Sequence, residues 1–260
     1  MLPVVIPAAP DSPHLDDCLA SLGDAPTYLV GEGRTVAVAE DAGFAARANA
    51  GLAAASADGH TAALLLNDDT RVRPGALDAL AEAVGAHRLV GAVLEHWEGG
   101  VQQAGLQVTT RTGRVTARTQ DPGSRTVQVD ALGGAALAID LALWSRLGGF
   151  DERFAFYFED VDLCLRARAT DVRPHLVGGA RIRHRGGGTR SHRSPDAAFH
   201  LGRSHTLLAR TLGGGPLRLG TVVAAGTAWT LRSVGLRGLP AFGRGVWSGS
   251  TYAGKPPGAR

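Results

Sequence analysis

The sequence has few of the residues that build disulfide-linked or zinc-stabilised proteins. Its 260 residues include only two cysteines, Cys18 and Cys164. A disulfide framework needs more cysteines in a shorter chain, and a structural zinc site needs paired ligand spacings that do not occur here. We therefore expect both cysteines to be buried free thiols within helices, as in proteins of a reducing compartment.

The sequence also lacks a hydrophobic run that could cross a bilayer, which takes about 20 residues. Its apolar stretch 220–231 has twelve residues and lies between Arg218 and Arg232. Such a stretch fits a helix that packs on the protein or lies in a membrane interface. Residues 1–6 are expected to lead directly into a first strand, without the pattern of a signal peptide. We therefore expect a cytoplasmic location, with peripheral contact to the inner face of the membrane as an option.

Acidic residues are almost missing from the last third of the chain. Residues 172–260 contain 14 basic residues and one acid, Asp196, whereas residues 1–171 contain 13 arginines and 23 acids. The two parts therefore carry charges of +13 and −10 within a total of only +3. A basic C-terminal third can serve anionic lipid, a diphosphate-bearing substrate or nucleic acid. No recognition helix, zinc finger or aromatic ribonucleoprotein motif accompanies the charge, which disfavours nucleic acid.

Short apolar runs alternate with helix-like segments, and this pattern predicts an α/β domain. The hydrophobic content of 44% is sufficient for a real core. Strands are expected at 4–6, 27–30, 35–38, 62–66, 89–94, 175–177 and 180–184, and helices at 14–22, 43–57 and 75–84. Residues 98–129 are expected to form β-ribbons and loops, and residues 130–147 to lead into a short helix.

Polar residues follow directly after the apolar run at 62–66. Asn67, Asp68 and Asp69 would lie beyond the carboxyl end of that strand, where ligands bind in parallel sheets. Mg²⁺ or Mn²⁺ prefers one or two carboxylates and completes its shell with phosphate oxygens and water. Asp69 is the candidate metal ligand, and Asn67 and Asp68 would bind sugar or ribose hydroxyls. The alternative is a polar turn that caps the next helix.

Three further carboxylates, Glu159, Asp160 and Asp162, come where an aromatic, strand-like run at 156–158 turns into a helix. Acids in a first helical turn complement the helix dipole, but the dipole explains one acid better than three. Asp162 and Arg166 have i,i+4 spacing and are expected to pair as part of the scaffold. Asp160 is the candidate general base for an acceptor hydroxyl, and Glu159 would orient that acceptor.

A histidine ends the last expected strand. His184 precedes the three glycines 186–188 and Arg190. It is a candidate metal ligand, and an ordinary structural histidine is the alternative. The glycines and Arg190 could fold over a diphosphate, with backbone amides and a guanidinium facing the anion. Acids at two strand ends together with one histidine therefore predict a divalent metal that holds a diphosphate.

Five segments together resemble the family-2 glycosyltransferases, which are inverting enzymes of the GT-A fold, and within them the bacterial rhamnosyltransferase-like group. The segments are GFAARANAGL (43–52), LLLNDDT (64–70), GGAALAI (133–139), GGFDERFAFYFEDVDLCLRAR (148–168) and ARIRHRGGGTR (180–190). Their order and spacing match the family over most of the chain. The resemblance implies a Rossmann-like, mostly parallel sheet flanked by helices over 1–198. Its nucleotide-sugar half would be about 1–97 and its acceptor half about 98–198, followed by a basic helical extension over 199–260.

The resemblance also implies a hexosyltransferase. It would move a sugar from a nucleoside-diphosphate sugar, such as dTDP-rhamnose or a UDP-sugar, to a hydroxyl of a cell-envelope glycan, a lipid-linked glycan or a natural product. Asp69 matches the acid that binds Mg²⁺ or Mn²⁺, with Asn67 at the first position of that motif, and His184 matches a further metal ligand. Asp160 matches the catalytic base and Glu159 the acid beside it.

Four positions, Pro7, Asp41, Arg47 and Asn49, fall where the family contacts the nucleotide, although the residues alone would predict an ordinary helix after position 43. Two segments depart from the family. The first strand ends in Pro-Ala-Ala-Pro instead of Pro-Thr-Tyr-Asn, and the segment after the second strand offers only Glu32 as an acid for the base. The departures leave a non-reacting pseudo-glycosyltransferase that binds nucleotide or glycan as an alternative. Nucleotidyl transfer is disfavoured because no glycine-rich phosphate loop follows the first strand.

Overall fold

A computed structural model describes residues 1–9, 11–186 and 194–252, which form a ten-stranded sheet, a separate hairpin and helices around them. The strands are β1 (Val4–Pro7), β2 (Thr27–Gly31), β3 (Val36–Ala37), β4 (Ala62–Leu66), β5 (Thr70–Val72), β6 (Leu89–Glu95), β7 (Val101–Gln103), β8 (Leu106–Thr109), β9 (Arg114–Ala117), β10 (Thr126–Gln128), β11 (Ala136–Asp140) and β12 (His175–His184). The helices are α1 (Leu15–Ala20), α2 (Phe44–Ala57), α3 (Ala76–His87), α4 (Leu141–Leu147), α5 (Glu159–Arg168), α6 (Pro195–Thr211), α7 (Pro216–Ser233) and α8 (Leu239–Thr251), with a 3₁₀ turn at Leu236–Gly238. The predicted α/β class is confirmed.

The main path of the sheet has the order β10-β12-β6-β11-β4-β1-β2-β3. Strands β3, β2, β1 and β4 are parallel, and β11 is antiparallel to both β4 and β6. Strand β12 is parallel to β6. The carboxyl ends of β1, β4, β6 and β12 therefore meet at one edge of the sheet, together with the start of β11. In open α/β sheets, this is the edge at which ligands bind.

Two cores lie on the two faces of the sheet, because successive strand residues point to opposite sides. Leu64 and Leu66 pack with α1 and α3, whereas Leu65 packs with α2, α4 and α5, and all three side chains are fully buried. Helix α2 approaches the sheet so closely that a Cβ atom on Gly51 would collide with the Val5 side chain. This alternation fixes the strand register, since a slip by one residue would exchange the two faces.

The structure corrects two expectations about local elements. The aromatic run 156–158 is not a strand, because Tyr157 and Phe158 have left-handed φ angles of 68° and 69° and form bends before α5. The sequence predicts only a loop and a short helix over 130–147, but residues 136–140 form β11, which pairs with both β4 and β6. A short apolar run cannot be assigned to strand or helix from its periodicity alone.

Helices α6, α7 and α8 form the C-terminal part of the described chain. Helix α6 runs across the expected domain boundary at 198. Gly202 and Gly226 each face Phe242 of α8 with no room for a Cβ atom, so the three helices pack closely together. Among the described residues, none of the helices combines the length and apolarity that a bilayer crossing requires.

Candidate functional site

A cleft of about 1060 Å³ opens at the carboxyl edge of the sheet. The ends of β1, β4 and β12 supply Pro7, the residues 67–69 and His184 to its lining. The segment before α5 supplies residues 156–158, and the start of α5 supplies Glu159 and Asp160. Helix α6 adds Ala197, His200 and Leu201. Carboxylates and a histidine that are far apart in the sequence therefore share one cavity.

Asp69 and His184 lie side by side in this cleft, because Thr70 of β5 pairs with His184 of β12. The Asp69 carboxylate is only 2% exposed, and its Oδ1 lies 3.3 Å from Nε2 of His184. Neither carboxylate oxygen has a hydrogen-bond partner among the described residues. Burial alone would raise the pKa of Asp69, but the hydrogen bond and the positive charge that His184 supplies when its Nε2 carries a proton lower it below its ordinary value.

Gln102 contacts the opposite side of the His184 ring, and no sequence pattern predicts this contact. Its Oε1 lies 2.7 Å from Nδ1 of His184, and its Nε2 donates to the His184 carbonyl at 3.3 Å. A carbonyl oxygen only accepts, so the Gln102 NH₂ group must face it and Oε1 is left for Nδ1, which then carries the proton. In the neutral ring, Nε2 is therefore a lone pair that faces Asp69.

The Asp69 and His184 pair fits a divalent cation. The buried carboxylate and the partly buried Nε2 of His184 lie 3.3 Å apart, and apart from this contact the carboxylate oxygens have no hydrogen-bond partner in the described part of the chain. Mg²⁺ and Mn²⁺ sites of this kind use one or two protein ligands with phosphate and water oxygens. Within the described ranges, no group of three or more His, Cys, Asp or Glu residues is arranged to hold a metal. The protein alone thus offers a partial shell that a diphosphate would complete.

Asp68 and Asn67 have different surroundings beside this pair. Asp68 Oδ2 accepts from the Ala9 amide at 3.1 Å, and the carboxylate also bonds the Ser12 hydroxyl, so Asp68 ties the loop after β1 to the end of β4. Burial raises the pKa of Asp68 despite these hydrogen bonds. The Oδ1 atom of Asn67 is buried without a partner among the described residues, and Asn67 lines the cleft.

Asp160 is fixed by backbone amides at the start of α5. Its Oδ2 accepts from the Gly134 amide at 2.6 Å, and its Oδ1 accepts from the Val161 amide at 2.7 Å. Two residues before Gly134, the Leu132 amide donates to Cys164 Sγ at 3.4 Å. The segment that leads into β11 therefore holds α5 at two places. Burial raises the pKa of Asp160, although both amides stabilise the ionised form.

Glu159 is buried next to Asp160, with 7% of its surface exposed. Its Oε2 has no hydrogen-bond partner among the described residues. Burial, and then the negative charge of Asp160, raise the pKa of Glu159 well above its ordinary value. A protonated carboxyl beside an ionised one can donate a hydrogen bond while its neighbour accepts a proton.

The expected structural roles of three residues are confirmed. Asp162 accepts from Arg166 Nε at 2.8 Å and is 1% exposed, so this pair belongs to the scaffold. Cys18 and Cys164 are both buried free thiols in helices. Burial raises the pKa of the Cys18 thiol to about 11 and that of the Cys164 thiol to about 12, so neither thiol is ionised at neutral pH.

Helix α6 holds the bent segment that leads into the two acids, a contact that the sequence did not predict. The Ser204 hydroxyl donates to the Phe156 carbonyl at 2.6 Å, and His205 stacks on Phe158 with ring centroids 4.7 Å apart. His205 Nε2 lies 3.0 Å from the Gly113 carbonyl, which only accepts, so Nε2 carries the proton. The C-terminal helices thus help to place Glu159 and its neighbour.

The expected nucleotide-binding residues are distributed unevenly. Pro7 and Arg47 line the cleft, and Arg47 donates to the Ala8, Glu40 and Ala42 carbonyls, joining three points of the wall. Asn49 lies outside the cleft, where its amide bonds both backbone groups of Phe150, and this placement gives no support to a nucleotide contact. Asp41 is exposed and does not line the cleft, although its neighbours do. Arg190 lies outside the described residues.

No protein-family profile matches this chain. An uncharacterized protein of Mycobacterium tuberculosis is 30% identical over 182 residues, which are 67% of this chain and 66% of the relative. An uncharacterized protein of Mycobacterium bovis has the same identity and coverage. The match therefore spans just under two thirds of the length of these relatives.

Solved structures identify the fold. TarS 1-349 of S. aureus in complex with UDP-GlcNAc has a TM-score of 0.54 at 14% identity, covering 94% of this chain and 79% of that chain. The mannosyltransferase PcManGT from Pyrobaculum calidifontis, in complex with GDP-Man and Mn²⁺, has a TM-score of 0.50 at 14% identity, covering 98% and 76%. The expectation of a GT-A fold with a C-terminal helical extension is confirmed.

Proposed function

We propose that the chain is a metal-dependent, inverting family-2 hexosyltransferase of the rhamnosyltransferase-like group. One observation carries the proposal: Asp69, His184 and Asp160 line the same cleft at the carboxyl edge of the sheet. The sugar nucleotides and the Mn²⁺ in the structures of similar fold give further support. The resemblance of the five sequence segments supports the family.

Asp69 and His184 are the residues that would hold Mg²⁺ or Mn²⁺. When bound, the cation would neutralise the negative charge that develops on a departing nucleoside diphosphate. Asn67, with its unpartnered Oδ1, and Asp68 would meet sugar or ribose hydroxyls beside it. Gln102 acts through His184, because it fixes the ring and leaves Nε2 free to bind the cation.

Asp160 is the proposed base. Its carboxylate takes the proton of the acceptor hydroxyl, whose oxygen attacks the anomeric carbon from the side opposite the diphosphate, so the configuration inverts. The hydrogen bonds from Gly134 and Val161 keep the carboxylate in one orientation, which a general base requires before its pKa matters. Glu159, protonated, would donate to the acceptor and orient it.

The donor is proposed to be dTDP-rhamnose or a UDP-sugar. In the loop after β1, the Ala8 carbonyl accepts from Arg47 and the Ala9 amide donates to Asp68, so these backbone groups are already paired within the protein. Ala8 and Ala9 offer no polar side chains where the family has Thr and Tyr. This favours the non-reacting pseudo-glycosyltransferase as the second candidate function, and metal-dependent hydrolysis of a donor distinguishes the two.

The acceptor is proposed to be a hydroxyl of a cell-envelope glycan, a lipid-linked glycan or a natural product. The aromatic residues Phe156 and Phe158 and the α6 residue Leu201 line the cleft next to Asp160. This apolar lining suits a hydroxyl carried by a ring or a lipid more than a free ion. We place the reaction in the cytoplasm or at the inner face of the membrane.

The test is a binding screen of sugar nucleotides with and without Mn²⁺. We expect one nucleotide-sugar class to raise the melting temperature of the wild type only when Mn²⁺ is present. Asp69→Ala should remove this metal-dependent shift, whereas Asp78→Ala, on the exposed side of α3, should retain it. Equal donor affinity of Asp69→Ala with and without Mn²⁺, at the wild-type level, would overturn the metal assignment.

A further inference from the structure

The outward face of α7 is apolar. Five exposed residues repeat at intervals of three or four positions and so form one stripe along the helix. The outer stripe consists of Leu217, Gly220, Ala224, Ala228 and Leu231. The opposite face carries Val222, Gly226 and Thr230, which are buried. Helix α7 is therefore uncharged on both faces between Arg218 and Arg232.

A helix that presents apolar residues on two opposite faces normally buries both of them. The inner face of α7 meets that rule, because Gly226 lies directly against the Phe242 ring. The outer stripe does not, since Leu217 is 56% exposed and Leu231 is 44% exposed. Beyond the end of α7, Leu236 of the 3₁₀ turn is also exposed, at 75%. An exposed apolar strip of this length indicates a contact with another apolar phase or partner.

From residue 197 onwards, the helices that carry and adjoin the outer stripe have positive charge without acidic residues. Residues 197–252 contain six arginines and no acid. No salt bridge joins any of these arginines to an acid within the described ranges. Arg210 and Arg218 instead donate to the neutral carbonyls of Gly249 and Thr110, so their charges remain. Arg232 directly follows the stripe, and Arg237 lies in the 3₁₀ turn after α7.

We propose that the outer stripe of α7 docks in the interface of an anionic lipid bilayer, with Arg232 and Arg237 on the lipid phosphates. An apolar strip with basic residues beside it is the chemistry of an interfacial helix. Trp247 of α8, 70% exposed, offers the amphipathic ring that is enriched at such interfaces. The proposal rests on the C-terminal helices and not on the proposed transferase activity. If both hold, docking would bring the enzyme to a membrane-borne acceptor.

Two other partners fit the surface less well. A nucleic acid would use the arginines but would leave the apolar stripe exposed. A second copy of this chain would cover the stripe but would bring two acid-free, positively charged surfaces together, which is electrostatically unfavourable. An anionic bilayer satisfies both features at once.

The test is sedimentation of the full-length protein with phosphatidylglycerol-containing vesicles and, separately, with pure phosphatidylcholine vesicles, without any donor. We expect partitioning into the anionic vesicles that weakens in high salt, and at least tenfold less into the neutral ones. Ala224→Glu/Ala228→Glu should lower partitioning at least tenfold. The matched control Ala53→Glu/Ser56→Glu adds the same charge to exposed positions of α2 and should bind as the wild type does.

Arg232→Gln/Arg237→Gln provides a second variant that leaves the stripe intact. It should lower partitioning into anionic vesicles about tenfold or more, since each basic residue near such a surface contributes about 1 kcal/mol. Wild-type partitioning by either a circular-dichroism-verified stripe variant or this arginine variant would overturn the proposal. The proposal would also be overturned if the wild type did not sediment with anionic vesicles, or if it bound duplex DNA and not vesicles. A wild-type dimer that becomes monomeric in the stripe variant would equally overturn it. Loss of donor binding would leave the vesicle result unaffected, so the two proposals fail separately.

Discussion

At the scale of single residues, the pKa values of Asp69 and Glu159 are shifted in opposite directions because the two carboxyl groups have different neighbours. Burial raises the pKa of Asp69, but positive charge at His184 outweighs it and lowers that pKa. A cation bound beside the carboxylate would stabilise its ionised form in the same way. Burial and the charge of Asp160 raise the pKa of Glu159, whose Oε2 has no partner among the described residues. The proposed metal ligand Asp69 and the proposed base Asp160 need to be ionised. Glu159 needs to be protonated in order to donate a hydrogen bond to the acceptor substrate.

Glu159→Gln tests the protonated state of this acid. Because its folded-state pKa is raised, the native state binds its proton more tightly than the unfolded chain does, and stability is lost as pH rises from the ordinary pKa towards the raised one. The variant, which mimics the protonated form, should remove this loss. Urea unfolding should show a smaller decrease in free energy of unfolding above pH 4.5 than in the wild type. An identical pH profile would contradict a buried, protonated Glu159.

Gln102→Leu tests whether the hydrogen bond between Gln102 and Nδ1 fixes the tautomer of His184. Removing the acceptor for Nδ1 should weaken Mn²⁺ binding by about 10- to 100-fold, which is typical when the hydrogen-bond partner of a ligating histidine is lost. Gln107→Leu, at an exposed position of β8, is the matched control. Calorimetric titration of Mn²⁺ gives the affinities, and ¹⁵N chemical shifts of the histidine ring report the tautomer. Unchanged affinity and shifts would show that Gln102 has no positioning role.

At the scale of elements, the site depends on strands and helices that meet the same edge from different directions. Strand β11 runs against its neighbours, so its start lies at the carboxyl edge, where Gly134 binds Asp160. Strand β5 returns along β12 and brings the residue after Asp69 opposite His184. The hydroxyl of the α6 residue Ser204 donates to the Phe156 carbonyl in the bent aromatic segment that precedes α5. None of these pairings involves sequence neighbours.

Gly51→Ala tests the close packing of α2 on the sheet that carries this edge. A methyl group there meets Val5 and Val30, so we expect a loss of about 1–3 kcal/mol in the free energy of unfolding, despite the better helix propensity of alanine. Gly85→Ala is the control, because it lies in α3 with open space around the added Cβ atom. It should gain up to about 1 kcal/mol. Denaturant unfolding that shows both variants equally stabilised would refute the packing argument.

The sequence predicts those elements whose pattern is local. Residues 62–66 are apolar without interruption and bounded by polar residues, so a buried strand is evident, and the acids that follow it must then lie at the carboxyl edge. Strand β11 could not be predicted because five apolar residues after a glycine pair suit a strand or a helix equally. The left-handed bends at Tyr157 and Phe158 depend on support from α6, and the role of Gln102 depends on the pairing of β7 with β6. Both are tertiary contacts that no local pattern encodes.

At the scale of the whole molecule, negative and positive charge lie in different parts of the chain. Acids concentrate in the front 171 residues, which supply the cleft carboxylates, and arginines without acidic partners concentrate in the C-terminal helices. These helices also support the aromatic segment that leads into the acids of α5. The proposed surface for an anionic bilayer and the support for the proposed base therefore belong to the same three helices. Such an arrangement would place the cleft close to a lipid-borne acceptor.

The central claim is that Asp160 is the base in a cleft whose donor is held by Asp69 and His184. The most direct measurement is Mn²⁺-dependent release of nucleoside diphosphate from the bound sugar nucleotide, compared between the wild type and Asp160→Asn at matched donor saturation. We predict donor affinity within about threefold of wild type and a rate at least about 100-fold lower, the usual contribution of a general base. Turnover by Asp160→Asn at the wild-type rate would contradict the account.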